Sequence, residues 1–445
     1  MSSHCEMPME AKKLSIARDT VVKLPDEIVT YEHDKDYVVV SPKDGNWIVV
    51  SKSQLKILEQ LRHGKSIGEV VSTAIDKRMC LTLLKQIFAR NFTTKELLVA
   101  DRNTKVLFYL TYECNLKCEH CYMYAQRKQA KVLSAKEYED IFTALKQNGV
   151  EEVTFSGGEP LIRADFWEII KSAHANGLVS KIFTNGTLWT DTDILKAKDF
   201  AVKAQISIDG VDEESCAIVR GVKVFEKAKD VAIRLANAGL DVEIATTPVF
   251  ANMNAVERGY SKFVMEMLEK SGQRIKFRVS LNLLPGRHLS KLSLGEKNEY
   301  EKRGIRLYSI SNPGGTQIPF FDEYRHGRGR IICGLGRLVF SPDGFVYVCS
   351  RLDPFPQIGN VRDISVPLLL KKAKERIDAA SIDNTIPCRE CPLRHICGGG
   401  CRADRYQYVS TSLEKPSIHN PCSEEYKMTL IKMMIQATKE CYKWD

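Results

Sequence analysis

One pattern constrains the fold of this chain more than any other. Between residues 106 and 282 a short apolar run, a polar loop and a helical stretch follow each other repeatedly. The helical stretches, such as 134–149 and 225–239, end in glycine, as helices commonly do. Six apolar runs have β-strand composition: "VLFYLTY", "EVTFSGG", "VSKIFTN", "VKAQISID", "DVEIATTPV" and "IKFRVSLN". Consecutive right-handed crossovers between parallel strands curl a sheet, so the sequence predicts an α/β fold with a partial TIM-like (β/α)6 barrel.

Polar motifs follow the first four of these strands. They are "TYECNLKCEHC" at 111–121, "FSGGEP" at 155–160, "TNGT" at 184–187 and "SIDG" at 207–210. In such barrels the carboxyl ends of the strands meet on one face, which carries the working residues. We therefore expect the four motifs to form one site.

The N-terminal part has a different rhythm. The β-rich runs "DYVVV" and "NWIVV" are joined by the turn "SPKDG", and helical patterns follow over 52–64, 66–78 and 81–92. Gly64 is placed to end the first helix and Ser66 to cap the second. This order predicts a winged-helix-like α+β domain over residues 14–95.

The chain has 445 residues, fourteen cysteines and a formal charge of +9. It shows no bilayer-spanning apolar run and no signal-peptide core, so we expect a cytoplasmic protein that does not bind membranes. Clustered thiols in a reducing compartment indicate metal binding or catalysis rather than disulfides. The positive charge permits an acidic partner, although a weakly basic solvated surface is the favoured explanation.

The first cysteine cluster comprises Cys114, Cys118 and Cys121, with the spacing CxxxCxxC. Three thiolates do not complete a four-ligand shell, so either a fourth ligand lies elsewhere or one position stays open. The site is then a zinc site completed by His120 or a distant residue, or a 4Fe–4S cluster with one iron available to a ligand. The spacing alone leaves both open.

The remaining clustered cysteines lie in the C-terminal third. Gly344 lies between the first two members, and the segment "CRECPLRHICGGGC" supplies four more. The ordered set comprises Cys333, Cys349, Cys388, Cys391, Cys397, Cys401 and Cys422. A zinc ribbon is the competing explanation for such spacing.

The first cluster, GGEP and SIDG together resemble the radical S-adenosylmethionine (SAM) superfamily. The resemblance implies that Cys114, Cys118 and Cys121 ligate a catalytic 4Fe–4S cluster whose open iron binds SAM. It implies that Tyr122 lies by the adenine. The other implied SAM contacts are Gly157, Gly158, Glu159, Thr184, Ser207, Asp209 and Arg220. Glu159 and the two glycines would hold the methionine amino group, and Arg220 the carboxylate.

The C-terminal set is similar to the seven-cysteine pattern of SPASM domains, here over residues 326–430 with a tail at 431–445. The resemblance implies two auxiliary 4Fe–4S clusters and therefore three clusters in all. The first would use Cys333, Cys349 and Cys401, and the second Cys388, Cys391, Cys397 and Cys422. The first is one cysteine short, because "EYRHGRGRIIC" offers no further thiol.

The N-terminal domain resembles the PqqD-like RiPP recognition element, which captures the leader of ribosomally synthesised peptides that are later modified. The resemblance implies β-strand addition: an extended leader pairs along 46–50 and buries side chains against the helix at 81–92. A winged helix that binds nucleic acid or only packs on the barrel is the alternative.

The predicted function is radical SAM cross-linking of a precursor peptide, through a thioether or a carbon–carbon bond, within a barrel assigned to residues 104–312. The implied partners are the precursor and a flavodoxin- or ferredoxin-type electron donor, with no nucleic acid. No general base can be chosen from the sequence. One alternative is a sulfatase-maturase-like enzyme, which would need an Asp where Ser350 stands. The other is a zinc-binding nucleic-acid-binding protein, which leaves GGEP and SIDG unexplained.

Overall fold

The computed structural model describes residues 17–74, 76–93, 104–123, 131–280, 282–311, 338–351, 357–399, 406–407, 417–418 and 424–442. These residues divide into two compact units. The first takes its residues from within 1–100 and 379–445, and the second from within 101–313 and 334–378. The segment "SNPGGTQIP" at 311–319 has the composition of a linker, and beyond Ser311 it lies outside the described residues.

The first unit opens with a three-stranded antiparallel sheet, β1 (Val29–His33), β2 (Asp36–Val40) and β3 (Trp47–Ser51), in the order β1-β2-β3. Three helices follow, α1 (Lys52–Arg62), α2 (Ile67–Thr73) and α3 (Lys77–Ala89). The predicted caps are confirmed: Gly64 has φ +83°, and Ser66 forms a capping box with Glu69 at the start of α2.

Both faces of this sheet are covered, because its apolar side chains alternate between two cores. Val39, Ile48 and Val50 face the helices α1–α3. Val38, Val40, Trp47 and Val49 pack instead on apolar residues from the C-terminal part of the chain. That part contributes α12 (Arg394–Cys397), α13 (Glu424–Tyr442) and the short strands β13 (Tyr406–Gln407) and β14 (Ser417–Ile418), numbered after the elements of the second unit.

The N- and C-terminal segments of this unit therefore share a hydrophobic core. Leu393, Ile396 and the α13 residues 430, 431, 434 and 435 belong to it. His395 contacts the carbonyl oxygen of Pro42 in the β2–β3 turn at 2.9 Å. The predicted domain boundary between 430 and 431 lies within α13.

The second unit contains six parallel strands in sequential order: β4 (Lys105–Thr111), β5 (Glu152–Gly157), β6 (Val179–Thr184), β7 (Lys203–Ser207), β8 (Val242–Thr246) and β9 (Ile275–Val279). Their helices are α4 (Ala135–Gln147), α5 (Phe166–Ala175), α6 (Asp191–Asp199), α7 (Glu213–Arg220), α8 (Phe225–Asn237), α9 (Phe250–Lys270) and α10 (Leu294–Ser311). Each of the six strands predicted from the sequence is confirmed.

Three short strands extend the sheet beyond β4: β10 (Val339–Phe340), β11 (Phe345–Tyr347) and β12 (Gly359–Asn360), followed by α11 (Val366–Ala379). β10 runs parallel to β4, β11 pairs antiparallel with β10, and β12 pairs antiparallel with β11. Phe108 of β4 is the centre of the aromatic core, stacking on Phe340 with ring centroids 4.6 Å apart. In the described part of the chain, no helix has the length and apolar character needed to cross a membrane.

Candidate functional site

A cavity of about 410 Å³ lies at the carboxyl ends of the parallel strands. The three clustered cysteines line it together with seven of the eight side chains or glycines predicted to contact SAM. These residues are Cys114, Cys118, Cys121, Tyr122, Gly157, Gly158, Thr184, Ser207, Asp209 and Arg220. The four motifs thus meet at one site, because their strands are adjacent and parallel.

The glycine pair has a structural reason that the sequence did not reveal. A Cβ at Gly158 would lie 1.8 Å from the carbonyl oxygen of Glu113, and one at Gly157 would lie 2.3 Å from that of Thr111. Gly158 N–H donates to Thr111 O at 2.7 Å. The glycines therefore let the loop after β5 lie directly against the backbone of the cysteine loop.

Glu159 is buried, and it is the predicted contact that does not line the cavity. Its carboxylate accepts hydrogen bonds from Thr184 Oγ1 at 2.7 Å and Asn185 N–H at 2.8 Å. Burial nevertheless raises its pKa to about 7, more than these bonds lower it. Glu159 therefore joins the ends of β5 and β6.

Asp209 is the electrostatic centre of the site. It is 1% exposed, and its Oδ2 lies 2.7 Å from His120 Nε2 and 2.6 Å from Arg220 Nε. The Thr247 N–H donates to Oδ1 at 2.6 Å. Burial alone would raise the pKa of Asp209, but Arg220 and His120 hold it below its usual value.

Arg220 also reaches the cysteine loop. Its Nη1 lies 3.9 Å from Cys118 Sγ, so a buried positive charge faces one of the three thiols. Burial raises the pKa of Cys118, whereas the Arg220 charge opposes that rise. Asp209 thus holds Arg220 beside a thiol. The sequence predicted Arg220 only as a contact of the SAM carboxylate, without this pairing.

Tyr122 belongs to a hydrogen-bonded chain at the cavity wall. The buried Tyr109 O–H donates to Ser350 O at 2.7 Å, and the two tyrosine oxygens lie 3.2 Å apart. Because Tyr109 has one proton, Tyr122 is the donor between the two rings. This chain connects β4 to Ser350, which follows Cys349 and lines the cavity.

The predicted auxiliary ligands fall in both units. Cys349 is buried in the second unit, whereas Cys388, Cys391 and Cys397 are half-buried in the first. The Cys391 N–H donates to Cys388 O at 2.8 Å, and Cys391 and Cys397 pack against the shared core. Cys333, Cys401 and Cys422 lie outside the described residues.

Sequence reasoning missed several residues of the site. His120 was considered only as a zinc ligand, but it lines the cavity and contacts Asp209. Asn185 donates to Asn115 Oδ1 at 2.9 Å, joining TNGT to the cysteine loop. Arg278, on β9, also lines the cavity. The position of His120 inside the cysteine motif could have indicated that it belongs to the site. No sequence feature indicated the same for Arg278.

The donor chemistry of the cavity suits the cofactors that the sequence resemblance implies. Three thiols at one wall are the ligands that iron–sulfur clusters use. The hydroxyl of Ser207 and the paired charges of Asp209 and Arg220 suit a polar, zwitterionic nucleoside.

Comparison with known proteins agrees with this geometry. Residues 108–258 match the family model described as the Radical SAM superfamily. The mycofactocin maturase MftC of Mycolicibacterium smegmatis is 27% identical over 324 residues, which cover 69% of this chain and 80% of MftC.

Two solved structures share the fold. Streptococcus suis SuiB bound to S-adenosylmethionine has a TM-score of 0.50 and 16% identity, covering 88% of this chain and 98% of SuiB. The native anSMEcpe structure with bound AdoMet and the Cp18Cys peptide has a TM-score of 0.58 and 18% identity, covering 76% of this chain and 98% of that one. The match to the Radical SAM superfamily model covers residues 108–258, which contain all four polar motifs that meet at the cavity.

Proposed function

We propose that this chain is a radical SAM maturase that installs an intramolecular cross-link in a ribosomally synthesised precursor peptide. The observation that carries the proposal is the single cavity that joins three thiols to the residues expected to contact SAM. The maturase relative MftC and the fold of SuiB, which was also solved with its precursor peptide SuiA, support a peptide substrate.

The side chains of the cavity have distinct roles in this proposal. Bound SAM, with a 4Fe–4S cluster on Cys114, Cys118 and Cys121, would supply a 5′-deoxyadenosyl radical that removes hydrogen from a substrate C–H bond. Asp209 holds Arg220 beside Cys118, so the positive charge faces the thiolate side of the site. Ser207 would present its hydroxyl to the nucleoside, and Thr184, whose hydroxyl donates to Glu159, lines the cavity beside it.

The substrate chemistry is an oxidation. With SAM bound, one electron would give methionine and a 5′-deoxyadenosyl radical, which becomes 5′-deoxyadenosine when it takes the hydrogen of a substrate C–H bond. The substrate carbon would then bond to a neighbouring side chain with release of a proton, and the surplus electron would go to an auxiliary cluster. The peptide loses two hydrogens. We place the auxiliary clusters on the seven C-terminal cysteines. The first has three of them, which suits capture of a substrate thiolate and favours a thioether over a carbon–carbon bond.

The N-terminal sheet supports leader capture. β3 is an edge strand among the described strands, and α3 packs beside it. An extended leader that adds to this edge would deliver the core segment that follows it to the enzyme. We place this reaction in the cytoplasm, where a flavodoxin- or ferredoxin-type protein would supply the electron.

The sulfatase-maturase alternative is weakened by the cavity wall. The position that would carry its proton acceptor is Ser350, and it does line the cavity. Among the described residues of that wall, Asp209 is the one carboxylate, and it is already paired with Arg220 and His120. A general base for that chemistry is therefore not offered by the described wall.

The proposal is tested with anaerobically reconstituted full-length protein, dithionite, SAM and the peptide encoded by the short reading frame beside the gene. We expect 5′-deoxyadenosine, a peptide mass lower by two hydrogens per cross-link, and about twelve irons per chain. Cys118→Ala should abolish the deoxyadenosine, whereas Cys80→Ala, which removes a buried thiol of the first unit, should not.

Other outcomes separate the alternatives. An unchanged peptide mass with SAM consumed would indicate epimerisation, and zinc in place of iron would favour the nucleic-acid-binding alternative. A substrate peptide without cysteine would exclude the thioether. Equal deoxyadenosine from Cys118→Ala and the parent would overturn the radical SAM assignment of the site.

A further inference from the structure

The outer edge of β3 is already hydrogen-bonded at its centre. Val49 is paired with Val38 of β2, and its own N–H and C=O face away from that strand. The Val49 N–H donates to Gln86 Oε1 at 3.2 Å, and Gln86 Nε2 donates to Val49 O at 2.7 Å. One side chain of α3 thus satisfies both backbone groups of one β3 residue.

This two-bond exchange is the pattern of a β-ladder. In an antiparallel pair, a hydrogen-bonded residue gives its N–H to, and takes an N–H from, a single residue opposite. The Gln86 amide has the same carbonyl acceptor and N–H donor as a peptide group. Gln86 is fully buried, so its amide occupies the place of a neighbouring strand rather than lying in solvent.

The next outward-facing position of β3 is also occupied. The Ser51 N–H donates to Gln54 Oε1 at 2.9 Å, within the capping box of α1. Gln54 is itself buried and donates to Met79 O and Thr82 Oγ1. An extended peptide that pairs with β3 at Val49 must therefore displace the Gln86 amide from both backbone groups.

We propose that Gln86 holds the place of the incoming leader strand, and that leader binding displaces its amide from Val49. This inference rests on the proposed leader capture and specifies what limits the affinity of the leader for the edge of β3. Because the bonds lost by Gln86 equal those gained by the peptide at Val49, this exchange adds little affinity. Leader affinity then comes from buried side chains, and Gln86 acts as a built-in competitor that favours peptides with good apolar anchors.

The test uses full-length protein and one probe, a fluorescein-labelled synthetic peptide of the first half of the short reading frame beside the gene. Gln86→Ala removes the competitor, so we expect about tenfold tighter binding by fluorescence anisotropy. Gln86→Leu keeps the bulk without the hydrogen bonds and should also bind more tightly than the parent. Ser66→Ala, which weakens the cap of α2 without touching β3, is the matched control and should bind as the parent does.

Hydrogen exchange measured by mass spectrometry gives an independent readout for segment 46–51. In the parent, the Val49 amide is bonded before and after leader binding, so its protection should change little. In Gln86→Ala the same amide should exchange rapidly in the free protein and become protected when the peptide binds. This measurement also shows whether the variant remains folded, through the protection of the other β2–β3 amides.

Each contrary outcome has a distinct meaning. Binding of equal affinity by the parent and Gln86→Ala, with segment 46–51 unprotected in the variant complex, would overturn the role of Gln86 and leave leader capture intact. Absence of binding by both proteins, with Val49 protected only in the parent, would overturn leader capture itself.

Discussion

Gly158→Ala tests whether the glycine pair is required by the cysteine loop. The added Cβ would lie 1.8 Å from Glu113 O and 2.4 Å from Glu113 C, whereas ordinary contact begins at 3.4 Å. Since both atoms are backbone, the cysteine loop itself must move by about 1.6 Å. That movement strains or breaks the Gly158 N–H···O Thr111 and Glu159 N–H···O Glu113 hydrogen bonds, which are 2.7 and 2.8 Å long.

The cost can be worked out from these contacts. Two weakened backbone hydrogen bonds contribute about 1 kcal/mol each, and overpacking a fixed site adds roughly 1–3 kcal/mol. We expect a loss of roughly 3–5 kcal/mol, which corresponds to about 3–5 °C in the unfolding midpoint of a metal-free chain of this length. The same displacement should lower iron retention and SAM cleavage together.

The matched control is Gly295→Ala in α10, where a Cβ meets no atom within 4 Å. This change should be neutral or slightly stabilising, because alanine favours helices over glycine. Differential scanning fluorimetry of both variants, with iron analysis after reconstitution, makes the comparison. A Gly158→Ala protein that melts within about 1 °C of the parent and retains its iron would refute the steric argument.

Three further predictions concern the polar groups of the site. Burial raises the pKa of Glu159 to about 7, so this carboxyl binds its proton more tightly in the folded than in the unfolded protein. Its contribution to stability is therefore complete below about pH 4.5 and is lost as the pH rises through 7. Glu159→Gln should flatten this part of the plot of melting temperature against pH for the metal-free protein. Tyr109→Phe leaves the Ser350 carbonyl without its tyrosine donor and should lower the free energy of unfolding by about 1–3 kcal/mol in a denaturant titration. The control, Tyr138→Phe, removes a buried hydroxyl that has no partner among the described residues and should lower it little. Asp209→Asn leaves the Arg220 charge buried without its counter-ion and should lower the free energy of unfolding by roughly 3–5 kcal/mol. The double variant with Arg220→Gln should recover part of that loss. Strictly additive losses would contradict the pairing.

Local sequence patterns were sufficient for the second unit. All six parallel strands follow from runs of apolar and β-branched residues, and their order follows from the helices between them. The same ordering brings the cysteine loop, GGEP, TNGT and SIDG to one face. Capping at Ser66 was also predictable, because a capping box involves residues only three positions apart.

The placement of individual polar side chains was not predictable in this way. Glu159 was expected to face the ligand, but its carboxylate accepts hydrogen bonds from Thr184 and Asn185, at the end of a different strand, β6. The pairing of Asp209 with both His120 and Arg220 likewise joins three separate segments. Such partners depend on where packed strands end, which no local window contains.

The amino-acid sequence by itself determined the alternation of strands and helices, the cysteine spacing and the strand ends that carry the motifs, because these depend on neighbours a few positions apart. Only the tertiary structure decided that α13 packs on the N-terminal sheet, that Gln86 occupies the edge at Val49, and that the glycine pair serves the backbone of the cysteine loop. Those features arise from contacts between segments that lie far apart in the chain, where side-chain direction and close approach are settled by packing.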